Sequence, residues 1–262
     1  MRIGYFQFTP KRLDVEGNIR RINDRINGVK ADVLVFPELF LTGYLFTDKN
    51  EVARFSQKAG EGKIFDAMLS WAKKINGMVI GGFPEIDGDK IYNSSMAVMP
   101  DGSYKLYRKL HLFNREKLIF TPGNLKAEPF EFRGAKFGLM ICFDWIFPEI
   151  SRTLALKGAQ ILIYSSNLML PLCQRALFAR AVENRTFVIL SNRGGSETVG
   201  ELSLSFTGKS IIYAPDGTIL CNSEDDRDEI KIVEINPDEA LDKNVTERND
   251  IFRDRRTQFY EL

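Results

Sequence analysis

The sulfur of Cys142 is the first candidate for chemistry. It closes the apolar run Phe137–Gly138–Leu139–Met140–Ile141, and Phe143–Asp144–Trp145 then leads into a helix opened near Pro148. A thiol on such a strand-to-helix turn is held by a rigid strand end beside helix N–H groups, which favour the thiolate. An unselected cysteine is more often a packed core residue, so Cys142 gains meaning only with a base beside it. The chain has a single histidine, His111, within Arg108–Lys109–Leu110–His111–Leu112. A Cys–His dyad would have to use it, and a hydrogen-bonded structural histidine fits the same place. If that segment is extended, His111 points to the same side as Lys109. The other available base is a carboxylate. Glu38 follows Asp32–Val33–Leu34–Val35–Phe36 and Pro37, at the carboxyl end of a predicted strand, where open α/β sheets place their sites. Shielded there, it would have a raised pKa and could accept a thiol proton near neutral pH. For Glu38 and Lys109 alike, the ordinary alternative is a solvated surface charge.

The elements that must position these groups alternate β and α signals. Strands are predicted at 2–8, 32–36, 78–80, 161–164 and 186–191, and near 209–213, 218–221 and 229–235. Helices are predicted over Ile19, Ile22, Ile26 and Val29, over 63–75, over 148–157 and over 171–184. Pro100–Asp101–Gly102 turns a hairpin between 91–99 and 103–108, and Gly134 turns a second between 128–133 and 136–142. Hairpins mixed with βα units predict a layered α/β protein with mixed pairing, not a purely parallel doubly wound sheet.

Composition narrows the function classes. The 262 residues are 44% hydrophobic and 27% charged, as in ordinary globular proteins. A formal net charge of +1 gives no reason to expect nucleic acid or an acidic membrane as partner. No run approaches the roughly 18–20 apolar residues of a membrane span. Three sparse cysteines make no disulfide framework and point to a reducing compartment, hence a cytoplasmic protein. One histidine and scattered cysteines without paired spacing argue against a metal site. A thiol redox role would want a resolving cysteine, and Cys173 stands 31 residues from Cys142.

Three segments in order carry a family resemblance. Phe36–Pro37–Glu38–Leu39–Phe40–Leu41–Thr42–Gly43–Tyr44, Tyr107–Arg108–Lys109–Leu110–His111–Leu112 and Ile141–Cys142–Phe143–Asp144–Trp145–Ile146–Phe147–Pro148–Glu149 resemble the Glu, Lys and Cys motifs of the nitrilase (carbon–nitrogen hydrolase) superfamily. Thr121–Pro122–Gly123 and Arg180–Ala181–Val182–Glu183–Asn184–Arg185 extend the likeness along essentially the whole chain. Phe113–Asn114–Arg115–Glu116 and the tail from Asn249 to Arg256 look most like archaeal hyperthermophile members.

The resemblance implies a four-layer αββα sandwich, with residues 1–262 as one domain. It also implies a homodimer or higher homo-oligomer, with the tail from about 245 to 262 at a subunit interface. It makes Cys142 the nucleophile, Glu38 the general base, Lys109 the group that steadies the tetrahedral intermediate, and Glu116 the residue that orients Lys109. Phe143 would lend a backbone N–H to the oxyanion, and Tyr44, Phe113 and Asn167 would line the pocket. His111 belongs to the lysine motif without being the base, while Asp144 and Glu149 would brace the nucleophile loop. No cofactor and no metal is implied. The expected reaction is hydrolysis of a small aliphatic amide with release of ammonia. Hydrolysis of a nitrile or of an N-carbamoyl amine would use the same residues, and a catalytically silent interaction protein could keep the same fold.

Overall fold

In the computed structural model, residues 1–260 are described. The chain begins with β1 (Arg2–Gln7), α1 (Val15–Arg25), β2 (Val33–Val35), α2 (Lys49–Ala53) and α3 (Gly62–Ile75). Then come β3 (Met78–Asp87), β4 (Lys90–Val98), β5 (Tyr104–Arg108), α4 (Glu116–Ile119), β6 (Phe130–Phe132) and β7 (Ala135–Ile141). The second half carries α5 (Pro148–Leu156), β8 (Ile161–Ser166), α6 (Cys173–Asn184), β9 (Phe187–Asn192), β10 (Ser196–Val199) and β11 (Leu202–Ser205). It continues with β12 (Ile211–Tyr213), β13 (Ile219–Asn222), β14 (Glu229–Glu234), β15 (Asn244–Thr246) and β16 (Asn249–Asp250).

Two six-stranded sheets result, in the orders β14-β1-β2-β3-β4-β5 and β13-β12-β9-β8-β7-β6. In each, three parallel strands at the centre are flanked by antiparallel ones, which is the mixed pairing expected from the hairpins. Period-two alternation sorts the side chains into layers. Ile3, Tyr5, Val33, Val35, Met78 and Ile80 join Leu139, Ile161 and Ile189 of the other sheet in one core. Their neighbours Phe6, Leu34 and Val79 pack outward against Ile22 of α1 and Met68 and Trp71 of α3. Leu154 of α5 and Leu177 of α6 cover the far face of the second sheet. The order of layers is therefore αββα, as the resemblance implies. Each fully buried Ile, Leu or Phe contributes roughly 1.5–3 kcal/mol to this packing.

Two expectations need correction. The strand starting at Met78 does not stop at Ile80. It runs to Asp87 and forms a long hairpin with β4. Gly81, Gly82 and Pro84 look like breakers in the sequence, but they serve close packing. A Cβ on Gly82 would stand 2.7 Å from Glu38 Cα, so the glycine lets the Glu38 loop lie against β3. Helix α1 ends at Arg25, short of Val29, although Val29 still packs on the same apolar layer.

Candidate active site

The predicted residues reach one place because they leave the ends of neighbouring strands. Glu38 follows β2, Lys109 follows β5, Cys142 follows β7 and Asn167 follows β8. Lys109 Nζ donates to Glu38 Oε1 at 2.6 Å and to Glu116 Oε1 at 2.7 Å, and all three side chains are buried. Glu116 is fixed in turn by the Phe113 N–H, which donates to its Oε2 at 2.9 Å. Asn167 Nδ2 donates to the Glu38 backbone carbonyl at 2.8 Å, so it serves the site as a loop brace. Glu38 Oε2 is buried without a partner among the described residues. A bare carboxylate oxygen of this kind can take a proton.

Cys142 is buried and has φ +41°, a left-handed conformation that costs a non-glycine residue about 1–3 kcal/mol and gathers at functional sites. The carboxylate of Asp144 holds that turn. It accepts from the Ile141 N–H at 2.9 Å and from the Tyr107 hydroxyl at 2.7 Å, and it meets His111 Nδ1 at 2.7 Å. His111 also stacks on Phe147, with 3.6 Å between ring centroids. It is thus tied to Asp144 beyond the end of β5, a structural histidine. Glu149, expected to help brace the nucleophile loop, lies exposed in the first turn of α5 instead. Arg180 pairs with Glu183 at 2.8 Å and also donates to the Trp145 carbonyl.

Burial sets the electrostatics. It pushes the Glu38 carboxyl up to about 7, against the opposing pull of the Lys109 charge. That matches the expectation for a shielded carboxylate. For Lys109, burial alone favours the neutral amine, but Glu116 and Glu38 outweigh it and the ammonium is held firmly. Cys142 departs from expectation. Burial, followed by the Glu38 charge, lifts its thiol well above the usual range, and Lys109 only partly offsets this. The N–H groups beyond the turn do not compensate for a thiolate placed beside a carboxylate in a dry site.

Two cavities reach the cluster. One of about 110 Å³ touches Cys142 and Asn167 and is walled by Phe113, Phe143, Trp145 and Leu168. A second, of about 230 Å³, touches Tyr44, Leu45, Glu116 and Leu204. Phe113, Met169 and Leu170 line both and stand between them. Tyr44, Phe113, Phe143 and Asn167 therefore all border the site. Sequence reading missed Asn93, which donates to Glu38 Oε1 at 2.6 Å. Its signal was present: Asn93–Ser94–Ser95 is a polar run between Ile91–Tyr92 and Met96–Ala97–Val98 in β4, and all three are buried.

A buried thiol, carboxylate and ammonium beneath a small apolar cavity, on an αββα frame, define a cysteine-dependent hydrolase. The chain belongs to the carbon–nitrogen hydrolase family, whose model matches residues 2–241. It is 38% identical to a nitrilase of Pyrococcus abyssi over 99% of both chains. Among solved structures it resembles a carbon–nitrogen hydrolase from Helicobacter pylori G27, with TM-score 0.88, 26% identity and coverage of 99% of this chain and 96% of that one. It also resembles an amidase from Nesterenkonia sp. AN1 that carries acrylamide added to its active-site cysteine, with TM-score 0.77, 25% identity and coverage of 97% and 98%. The protein is a cysteine-dependent carbon–nitrogen hydrolase of the amidase and nitrilase group.

Proposed function

We propose that this hydrolase converts a small aliphatic amide to its acid and ammonia through a thioester on Cys142. Glu38 takes the Cys142 proton as the sulfur attacks the carbonyl carbon. The oxyanion is met by the Lys109 ammonium and the Phe143 N–H. Protonated Glu38 then gives its proton to the departing nitrogen, ammonia leaves, and the thioester remains. Water enters, Glu38 removes its proton, and the hydroxide carbon bond forms as the sulfur is expelled and reprotonated. Glu116 holds Lys109 in place throughout. The observation that carries this reading is Lys109 clamped between Glu38 and Glu116, with one Glu38 oxygen left bare.

The apolar lining at Cys142 suits an uncharged acyl chain. A nitrile would follow the same path, with a thioimidate in place of the first adduct and water adding before ammonia leaves. The Pyrococcus abyssi nitrilase among the relatives favours that second reading. Ammonium release from parallel panels of amides, nitriles and N-carbamoyl amines separates the routes. Iodoacetamide should label Cys142 much faster than buried Cys173 or half-buried Cys221. Equal, slow labelling of all three would make the protein a silent scaffold.

Homodimerisation is part of the same proposal. Phe259 and Tyr260 are exposed in the tail, where a second subunit would bury them, and light scattering checks this. Residues 261–262, the end of the segment expected at the interface, lie outside the described residues. Three free cysteines suit a reducing cytoplasm, which cell fractionation tests. Among the described residues no helix is long and apolar enough to cross a membrane.

A further inference from the structure

A second buried ion pair lies near the site and takes no part in the chemistry above. Arg193 follows the last residue of β9, and Glu197 sits in β10. Both side chains are buried, and Arg193 Nη1 pairs with Glu197 Oε1. The carboxylate reaches across to the loop that leaves Glu38. It accepts from the Tyr44 N–H at 3.0 Å and from the Leu45 N–H at 2.7 Å. Gly43 precedes them with φ +83°, and a Cβ there would stand 2.5 Å from Glu197 Oε1. The loop is thus shaped to wrap the carboxylate. On the other side, the Arg193 guanidinium lies 4.1 Å from the Phe206 ring centroid, and Phe206 meets Tyr44 edge-on at 5.9 Å.

Tyr44 and Leu45 line the 230 Å³ cavity, and so does Leu204 of β11, the strand hydrogen-bonded to the one carrying Glu197. The carboxylate therefore holds two of that cavity's lining residues, and the strand that carries it pairs, at Glu197 itself, with the third. Neither Arg193 nor Glu197 lines the cavity itself. Burying such a pair is costly unless close pairing and further hydrogen bonds offset the desolvation, and an apolar pair of similar volume would often be as stable.

We propose that Glu197, held by Arg193, is a positioning residue that fixes the Tyr44–Leu45–Leu204 wall and so sets which amide chain lengths the enzyme accepts. This rests on the amide-hydrolase reading. Glu197 acts through the backbone of Tyr44 and Leu45, so losing it changes the shape of the wall while the Cys142–Glu38–Lys109 groups stay in place.

The test compares acetamide, propionamide and hexanamide with native protein, Glu197→Gln, and the double variant Arg193→Met with Glu197→Met. Loss of charge-assisted hydrogen bonds to the wall should shift the hexanamide-to-propionamide ratio of kcat/KM by about tenfold, mostly through KM. The double variant removes the unpaired buried charge and should recover thermal stability relative to Glu197→Gln, yet keep the altered ratio. A ratio unchanged in both variants, whatever their melting temperatures, overturns the proposal, as does a double variant that regains native selectivity. Alkylation of Cys142 by iodoacetamide and by its N-hexyl derivative gives the same comparison without turnover. If native protein hydrolyses none of the amides, the functional reading fails; the alkylation ratio still decides whether Glu197 shapes the cavity.

Discussion

Asn93→Leu should move the acid limb of the pH–rate profile upward. Asn93 Nδ2 donates to Glu38 Oε1 at 2.6 Å, inside a site where Glu38 has no exposure. A hydrogen bond to an ionised group is worth about 1.5–3 kcal/mol, and one pKa unit corresponds to about 1.4 kcal/mol. Removing the donor therefore raises Glu38 by about one to two units, from about 7 toward 8 or 9. At pH 7 the ionised base falls from about half to between about 1% and 10%, so kcat/KM drops roughly 5- to 50-fold and recovers as the pH is raised. Leucine has the same heavy-atom branching as asparagine and removes Asn93 Oδ1, a buried oxygen without a partner among the described residues, and a circular-dichroism spectrum checks that the fold is kept. The Asn93 carbonyl still accepts from the Lys109 N–H at 2.8 Å, and Lys109 keeps its place. The assay is ammonium release from propionamide between pH 5 and 9. A lowered plateau with an unmoved acid limb would show that Asn93 only packs, and a limb moving downward would refute the sign of the argument.

Cys142→Ala should abolish turnover with an unchanged circular-dichroism spectrum; residual amide hydrolysis in that variant refutes the thioester route. Glu38→Gln removes a carboxyl whose folded pKa, about 7, lies above its ordinary 4.5. The folded state binds that proton more tightly, so the native protein loses stability as pH rises from about 4.5 to about 7, at most about 3 kcal/mol for 2.5 units; the melting temperature of the variant relative to native should therefore increase between pH 5 and pH 8. Asp144→Asn leaves one of the groups converging on that carboxylate unpaired, and chemical denaturation should show a loss of about 1–3 kcal/mol. Gly43→Ala places a methyl against Glu197 in a left-handed conformation, and it should shift chain-length selectivity in the same direction as Glu197→Gln.

Legibility in the sequence followed the range of the physics. Local signals were readable where one element explains itself: Gly134 turns the β6–β7 hairpin, Pro148 opens α5, and Ile64, Met68, Ala72 and Ile75 mark the buried face of α3. Glu38 and Cys142 were readable singly as strand-end candidates, but their union with Lys109 in one site was carried by the resemblance of the three motifs, since strand ends alone do not say which of them meet. The misses depend on partners distant in the chain. Gly81 and Gly82 seemed to break β3 because their role is to admit the loop after Glu38. No strand is predicted over the β10–β11 hairpin, whose inward residue is Glu197, buried with Arg193 and the Tyr44 loop around it. Asn93 gave a visible cue, yet its partner lies 55 residues earlier.

The raised thiol of Cys142 fits the proposed reaction once charge is counted over the cluster. With Glu38 and Glu116 ionised and Lys109 protonated, the buried site carries one net negative charge. A thiolate formed by losing its proton to solvent would make that two, which burial and the Glu38 charge oppose. Passing the proton to Glu38 keeps the total at one. Attack then moves the sulfur's charge to the oxyanion, beside Lys109, and the total is still unchanged. In the proposed route the proton transfer is thus tied to bond formation, and burial favours the thiol over a free thiolate before attack. It follows that the pH dependence of Cys142 alkylation should track the ionisation of Glu38 near 7 rather than that of an isolated thiol, and that Glu38→Gln should push it far to the alkaline side. An alkylation profile indifferent to Glu38 would mean that the sulfur loses its proton by another path.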